Sequence, residues 1–337
     1  MDGAGTGAGA GAAPDAVALH AVGAAAAQGS RPSQQDRHVV FTPEALPREI
    51  GERIAIFAVF DGHGSHLVAQ HAQTNILQSI LASPEFRKGH YEAAMQAAID
   101  KEEETLFKEF RDGEEKFAVA GSTASIAVVN LSSGTLVVGN LGDSHILLAE
   151  VERGGGGDGE VKDVRRLTVS HKPDNPPEKQ RIEQAGGEVH DQHEIPRLGS
   201  LNMSRALGDL QYKKPLNSMD KGPVTEEQTI AAGDPGKERG DFLSRQLATT
   251  RVELKRDAQY LLALTTDGVT NAQRDRVIMH SMAGLFGQGL RANEVSESIV
   301  KECVSKPGSD NATLISVFLK GSSSSGSGNE WLSNASA

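Results

Sequence analysis

The sequence predicts an α+β sandwich, on three observations. Two apolar runs end in Asp-Gly, IAIFAVFDG at 54–62 and YLLALTTDG at 260–268. A group of β-rich runs occupies the middle of the chain, and amphipathic segments with helical spacing lie before and after it instead of alternating with it. The folded part is expected over residues 30–320. A Gly- and Ala-rich lead-in (1–29) and a Ser- and Gly-rich tail (321–337) are expected to be disordered by composition.

Taken in order, Ile54 to Phe60 are apolar throughout, as in a strand buried on both faces. Next, Val68, Ala72, Ile76 and Ile80 recur every four residues, one face of a helix. A second helix is predicted from Tyr91 to Phe110, with Met95, Ala98, Ile99 and Leu106 on its apolar face. STASIAVVN, TLVVGNLG and HILLAEV follow, joined by short turns, which predicts an antiparallel meander because such turns cannot make a parallel crossover. GGGGDG at 154–159 reads as a loop tip, since it lacks the Gly-Lys-Ser ending of a phosphate-cradling loop. Pro177 and Gly186 bracket a short helix. Residues 212–239, rich in Lys, Pro, Gly and Asp without periodicity, are expected to form a long mobile insertion. Order returns with YLLALTTDG, helices near 277–286 and 294–304, and a last strand, ATLISVFLK.

Composition narrows the function. With 45 acidic and 34 basic residues among 337, the formal charge is −11, and aromatics make up 4%, so neither a basic track nor a stacking platform for nucleic acid is expected. No run approaches the ~20 apolar residues of a membrane span. The single cysteine, Cys303, lies in an apolar helical stripe and reads as core; it excludes an intrachain disulfide framework and fits a reducing compartment. The first 29 residues carry no Arg or Lys, unlike an import signal, so a cytoplasmic location is expected, with mitochondrion and nucleus left open.

Three strand edges carry an aspartate: Asp61, Asp267 and Asp310. Were these strands neighbours, the carboxylates would converge with no Lys or Arg in their local motifs, and converging carboxylates either stay apart or are held by a cation. Oxygen ligands favour Mg²⁺ or Mn²⁺ over zinc, and no Cys/His set with zinc spacing is present. Gly62, without a Cβ, would let its carbonyl approach such an ion. Each Asp-Gly alone is ordinary turn chemistry; the repetition on matching strands is not.

The motifs SRPSQQDR, FAVFDGHGS, AGSTA, VGNLGDSH, LTVSHKP, RIEQAGGEV, LNMSRALGD, LALTTDG and SDNATLISV, in this order over residues 30–320, resemble those of the type 2C, metal-dependent serine/threonine protein phosphatases (the PPM family). The resemblance implies two packed antiparallel sheets flanked by helices on both sides, two Mg²⁺ or Mn²⁺ ions per subunit, and hydrolysis of phosphoserine and phosphothreonine by metal-bound water. It implies that Asp61 bridges the ions, that the Gly62 carbonyl binds one, that Asp267 and Asp310 bind the other, and that Asp36 orients metal-held water. Arg31 would hold the phosphoryl oxygens and His63 would protonate the leaving oxygen. Phosphorylated proteins would be the partners, with no nucleic acid or membrane, and a monomer is expected.

The chain departs from the family pattern at three places: Gln35 stands where many members have an acid, His145 follows GDS where Arg is common, and Asn271 stands where an Asp would help Asp143 hold a third ion. An amide oxygen attracts a hard dication less strongly, which puts the third ion in doubt. His171 is expected to satisfy a turn, and His66 and His71 to lie on a helix surface. The rival reading is a catalytically inactive scaffold of the same fold, but such a protein would be expected to have lost Asp61, Asp267, Asp310 or Arg31, all of which are present. A metal-dependent nuclease is disfavoured by the acidic balance.

Overall fold

The computed structural model describes residues 15–46, 50–153, 159–217 and 239–323. Two five-stranded sheets dominate it. The first has the order β1 (Val17–Ala27), β15 (Ala312–Gly321), β14 (Gln259–Thr265), β8 (His145–Arg153), β9 (Gly159–Arg166). The second runs β13 (Ala248–Glu253), β7 (Thr135–Leu141), β6 (Ala124–Asn130), β3 (Ile54–Phe60), β2 (Arg37–Phe41). Every neighbouring pair in both sheets is antiparallel.

Strand β3 shows why the layers stack. Its even residues, Ile54, Ile56, Ala58 and Phe60, face helices α1 (Leu67–Ala82) and α3 (Tyr91–Arg111), against Val68, Ile76, Met95 and Ile99. Its odd residues, Ala55, Phe57 and Val59, face the other sheet, against Leu148, Leu262, Ile315 and Val317. Period-two alternation with apolar residues on both faces is what a central layer requires. On the far side, Leu261, Ala263 and Phe318 meet Ile278 and Met282 of α6 (Asp275–Gly287) and Val295, Ile299 and Cys303 of α7 (Ala292–Cys303). The result is the expected sandwich, helices outside two packed sheets. Burial pushes the Cys303 thiol up to about 11, as befits a core residue and not a nucleophile. Two short helices, α2 (Pro84–Arg87) and α5 (Asp267–Thr270), and α4 (Pro176–Gln184) complete the α-helices of the described residues.

Five expectations are corrected. Part of the disordered lead-in is strand β1, paired with β15 from Val17 to Ala27. Its small residues serve close packing: a Cβ on Gly23 would lie 2.1 Å from the Ala292 carbonyl carbon, and Ser296 Oγ donates to the Gly23 carbonyl at 3.1 Å. Low complexity here marks a thin strand under a helix. At the other end, β15 includes Gly321, and Ser323 N donates to the Arg256 carbonyl, so the tail begins later than expected; residues 324–337 lie outside the described set.

The meander is only half right, because β6 and β7 pair while β8 joins the other sheet. The chain changes sheets at Gly142-Asp143-Ser144, where Gly142 has φ +102°, a value that favours glycine. The insertion is the fourth case: its first residues are packed, with Tyr212 and Lys213 buried, while 218–238 lie outside the described residues. His71 also turns inward, its Nδ1 2.5 Å from Glu102 Oε1 on α3. The loop tip at 154–158 is likewise outside the described set, between the paired ends of β8 and β9.

Candidate active site

The predicted aspartates come from separate segments that meet at one end of the two sheets. Asp61 follows β3 and Asp36 precedes β2 in one sheet; Asp267 follows β14 and Asp310 precedes β15 in the other; Asp143 sits in the turn that connects the sheets. Thr266 and Thr313, beside Asp267 and Asp310, both donate to Asp36 Oδ2, at 2.8 and 2.7 Å. Those two hydroxyls tie together segments almost the length of the chain apart.

The electrostatics reflect this arrangement. Burial raises the Asp61 carboxyl well above the ordinary carboxylate range, and Asp36, Asp267, Asp143 and Asp310 each raise it further. Burial also lifts Asp36 to about 6, with the two threonine hydroxyls opposing and Asp267 and Asp310 adding to the rise. Asp267 rises to about 6 through burial and the charges of Asp143 and Asp310, although Lys172 and Asn271 oppose it. This is a cluster of carboxylates short of positive charge. Asp36 Oδ1 is buried without a hydrogen-bond partner among the described residues. A buried anionic oxygen left bare signals a missing cation or donor.

What cations the chain does supply sit at the rim. Arg31 NH2 donates to Asp310 Oδ2 at 2.8 Å, with the Arg31 side chain 57% exposed. Lys172 Nζ lies 2.5 Å from Asp143 Oδ2, and Asn271 Nδ2 donates to Asp267 Oδ2 at 3.0 Å. Among the described residues no three His, Cys, Asp or Glu side chains lie close enough together to form a ready cation cage. By chemistry, the all-oxygen donor set and its unbalanced charge fit hard divalent ions.

The backbone explains the local motifs. Asp61 N donates to Thr123 Oγ1 at 3.0 Å, Thr123 N donates to the Asp61 carbonyl at 2.9 Å, and Thr123 Oγ1 meets Ser144 Oγ at 2.7 Å. Gly62 belongs to β4 (Gly62–His63), which pairs with β5 (Gly121–Ser122) and, through it, β12 (Leu207–Gly208). A Cβ on Gly62 would fall 2.7 Å from the Gln35 carbonyl oxygen, so the glycine is needed for this backbone approach irrespective of any ion. Asn311 clasps the segment carrying Arg31, donating to the Gln28 and Ser33 carbonyls and accepting from Gln35 N.

His63 Nε2 lies 2.6 Å from Asp209 Oδ2, and the Asp209 side chain is fully buried. Burial would depress the imidazole, but the Asp209 carboxylate outweighs it and the net shift is upward. Asp209 was not singled out from the sequence, nor were Thr123, Lys172 or Asn311. His171 behaves as expected: its Nδ1 accepts from Gly142 N at 3.0 Å, and burial, with nearby Arg205, lowers it to about 4. His145 replaces the common Arg without a charge, lowered to about 4 by burial and Arg166; its Nε2 lies 2.8 Å from Arg166, which reaches Asp275.

The fold is that of the protein-serine/threonine phosphatases of type 2C, and comparison with known proteins gives the family. The Protein phosphatase 2C profile matches residues 20–312, and the chain belongs to that family. A probable protein phosphatase 2C 2 of Paramecium tetraurelia is 30% identical over 310 residues, 87% of this chain and 90% of that protein. Protein phosphatase 2C homolog 2 of Saccharomyces cerevisiae is 30% identical over 311 residues, 90% of this chain and 59% of that one. Among solved structures, serine-threonine phosphatase 2C from Toxoplasma gondii shares the fold, with TM-score 0.69, 22% identity, and coverage of 89% of this chain and 94% of the other.

Proposed function

We propose that this protein hydrolyses phosphoserine and phosphothreonine in proteins, with Asp61, the Gly62 carbonyl, Asp267 and Asp310 holding two divalent ions, Mg²⁺ or Mn²⁺, and Asp36 orienting water beside them. The observation that carries this reading is the convergence of five aspartates, from five segments, on one end of two sheets with too little positive charge to balance them. Paired divalent ions, when bound, make water acidic enough to attack phosphorus near neutral pH.

The chain's own residues do the rest. Arg31, half in solvent at the rim, can leave Asp310 and offer its planar fork to two phosphoryl oxygens. His63 supplies a proton to the seryl or threonyl oxygen as the P–O bond breaks, so that the alcohol departs neutral. Asn271, spent as a donor to Asp267, and Lys172, paired with Asp143, both weaken the position where a third ion would sit. The ligand aspartates and Arg31 being intact disfavours an inactive scaffold.

The test is hydrolysis of p-nitrophenyl phosphate and a phosphothreonine peptide with Mn²⁺, with EDTA, and with Asp61→Ala or Asp267→Ala. Chelation and either substitution should each lower kcat/KM by on the order of 10³-fold, the scale of several kcal/mol of lost charge stabilisation. Turnover that survives EDTA would overturn the mechanism.

A further inference from the structure

We propose that Asp209 is the positioning residue for His63, fixing the imidazole by its Nε2 so that Nδ1 is the nitrogen that passes the proton to the leaving oxygen. This rests on the phosphatase reading above and adds a residue to that site.

The geometry is specific. The Asp209 carboxylate is fully buried and meets His63 Nε2 at 2.6 Å, while its other oxygen, Oδ1, has no hydrogen-bond partner among the described residues, so the imidazole is its one side-chain hydrogen-bond partner there. His63 Nδ1 is also buried without a partner. Buried polar atoms are nearly always satisfied, so a bare nitrogen in this place calls for a group that arrives with the substrate. His63 ends β4, two residues after Asp61, which lies at the junction of β3 and β4.

The surroundings are shaped to hold Asp209. It adopts φ 48° and ψ 44°, a left-handed conformation that costs a non-glycine residue about 1 kcal/mol or more and persists only when neighbours enforce it. Its N–H donates to the Ala120 carbonyl at 2.8 Å, and its own carbonyl accepts from Tyr212 N at 3.0 Å. The preceding Gly208 N donates to Glu103 Oε2 at 3.0 Å, and the buried Lys213 ammonium pairs with the same carboxylate. A Cβ on Gly121 would lie 1.9 Å from Asp209 Oδ2 and 2.5 Å from His63 Nε2, so glycine is what leaves room for the pair. An aspartate that orients a histidine in this manner sets its tautomer, and an amide in its place sets the wrong one.

The proton balance is simple. Water bonds to phosphorus and releases a proton to solvent as the ester P–O bond breaks; the electron pair of that bond goes to the seryl or threonyl oxygen, which takes the Nδ1 proton, while the Nε2 proton stays on the ring, hydrogen-bonded to Asp209. Solvent then returns a proton to the ring.

The experiment compares wild type, His63→Ala, Asp209→Asn, Gly121→Ala and the His63→Ala/Asp209→Asn double variant. Substrates are a phosphothreonine peptide, whose alkoxide leaving group needs a proton, and p-nitrophenyl phosphate, whose leaving group needs little. Asp209→Asn should lower peptide kcat by about 10²-fold, within the range of general-acid contributions. The loss on p-nitrophenyl phosphate should be at least tenfold smaller, and the substitution should add less than about twofold in the His63→Ala background. Gly121→Ala, which displaces the pair without removing either member, should show the same substrate bias. Mn²⁺ affinity by calorimetry should be unchanged in Asp209→Asn, which separates positioning from collapse of the site. Equal losses on both substrates, or a full additional loss on top of His63→Ala, overturn the assignment. If His63→Ala itself fails to discriminate between substrates, the proton-donor reading falls and Asp209 with it; if it discriminates and Asp209→Asn does not, only the assignment of Asp209 falls.

Discussion

The Arg31 guanidinium has one ion-pair partner among the described residues and, under the proposed function, would take a second. It leans on Asp310, an ion pair exposed enough to contribute only about 0–1 kcal/mol, so little would oppose its exchange for a phosphate in the proposed reaction. Arg31→Ala should therefore raise KM for a phosphothreonine peptide about tenfold while moving the urea unfolding free energy by less than about 1 kcal/mol; a large stability loss with unchanged KM would show a structural role instead. Asp61, Asp267 and Asp310 were legible in the sequence because each punctuates an apolar strand. Thr123, Lys172, Asp209 and Asn311 were not, because what makes them matter is a partner far along the chain: Asn311 reaches Gln28, and Asp209 reaches His63. Nothing in the local pattern around Asp209 announces a left-handed backbone or a buried carboxylate.

Among the elements, those with a strong period were read correctly. Helices α1 and α3 display the apolar stripe that packs on β3, and β3 and β14 carry the unbroken apolar runs of strands covered on both sides. Strand β1 was hidden because Ala and Gly give little hydrophobic signal, although the same smallness lets the backbone of α7 come close. Gly23→Val should accordingly destabilise the protein by about 1–3 kcal/mol through overpacking against Ala292, measured as a shift in urea midpoint. An equally stable variant would mean that β1 does not lie under α7. The sheet change at Gly142-Asp143-Ser144 was hidden for another reason: a short turn looks the same whether it joins two strands of one sheet or hands the chain to the next layer.

Across the whole molecule, the acidic site is a source of instability that divalent ions would relieve. Asp36 and Asp267 titrate near 6 in the folded, metal-free protein and near 3.8 when unfolded. The native state thus binds more protons between those values, and the contribution of these two groups to stability falls as pH rises through about 6. Mn²⁺ needs the deprotonated carboxylates, so its stabilising effect runs the other way. At a hundredfold excess over Kd, Mn²⁺ should add about 2.7 kcal/mol at pH 7.5, seen as a higher urea midpoint, and the same metal concentration should add much less at pH 5. An effect independent of pH would place the ions away from these carboxylates.

The hydroxyl ties from Thr266 and Thr313 to Asp36 have a temporal consequence. Because β1, near the amino end, takes β15 as its neighbour, a growing polypeptide has no partner for its early edge and no complete set of acids until its last strand is made. A product stopped before Asp310 and β15 lacks one of the acids that the proposed chemistry needs and should be inactive.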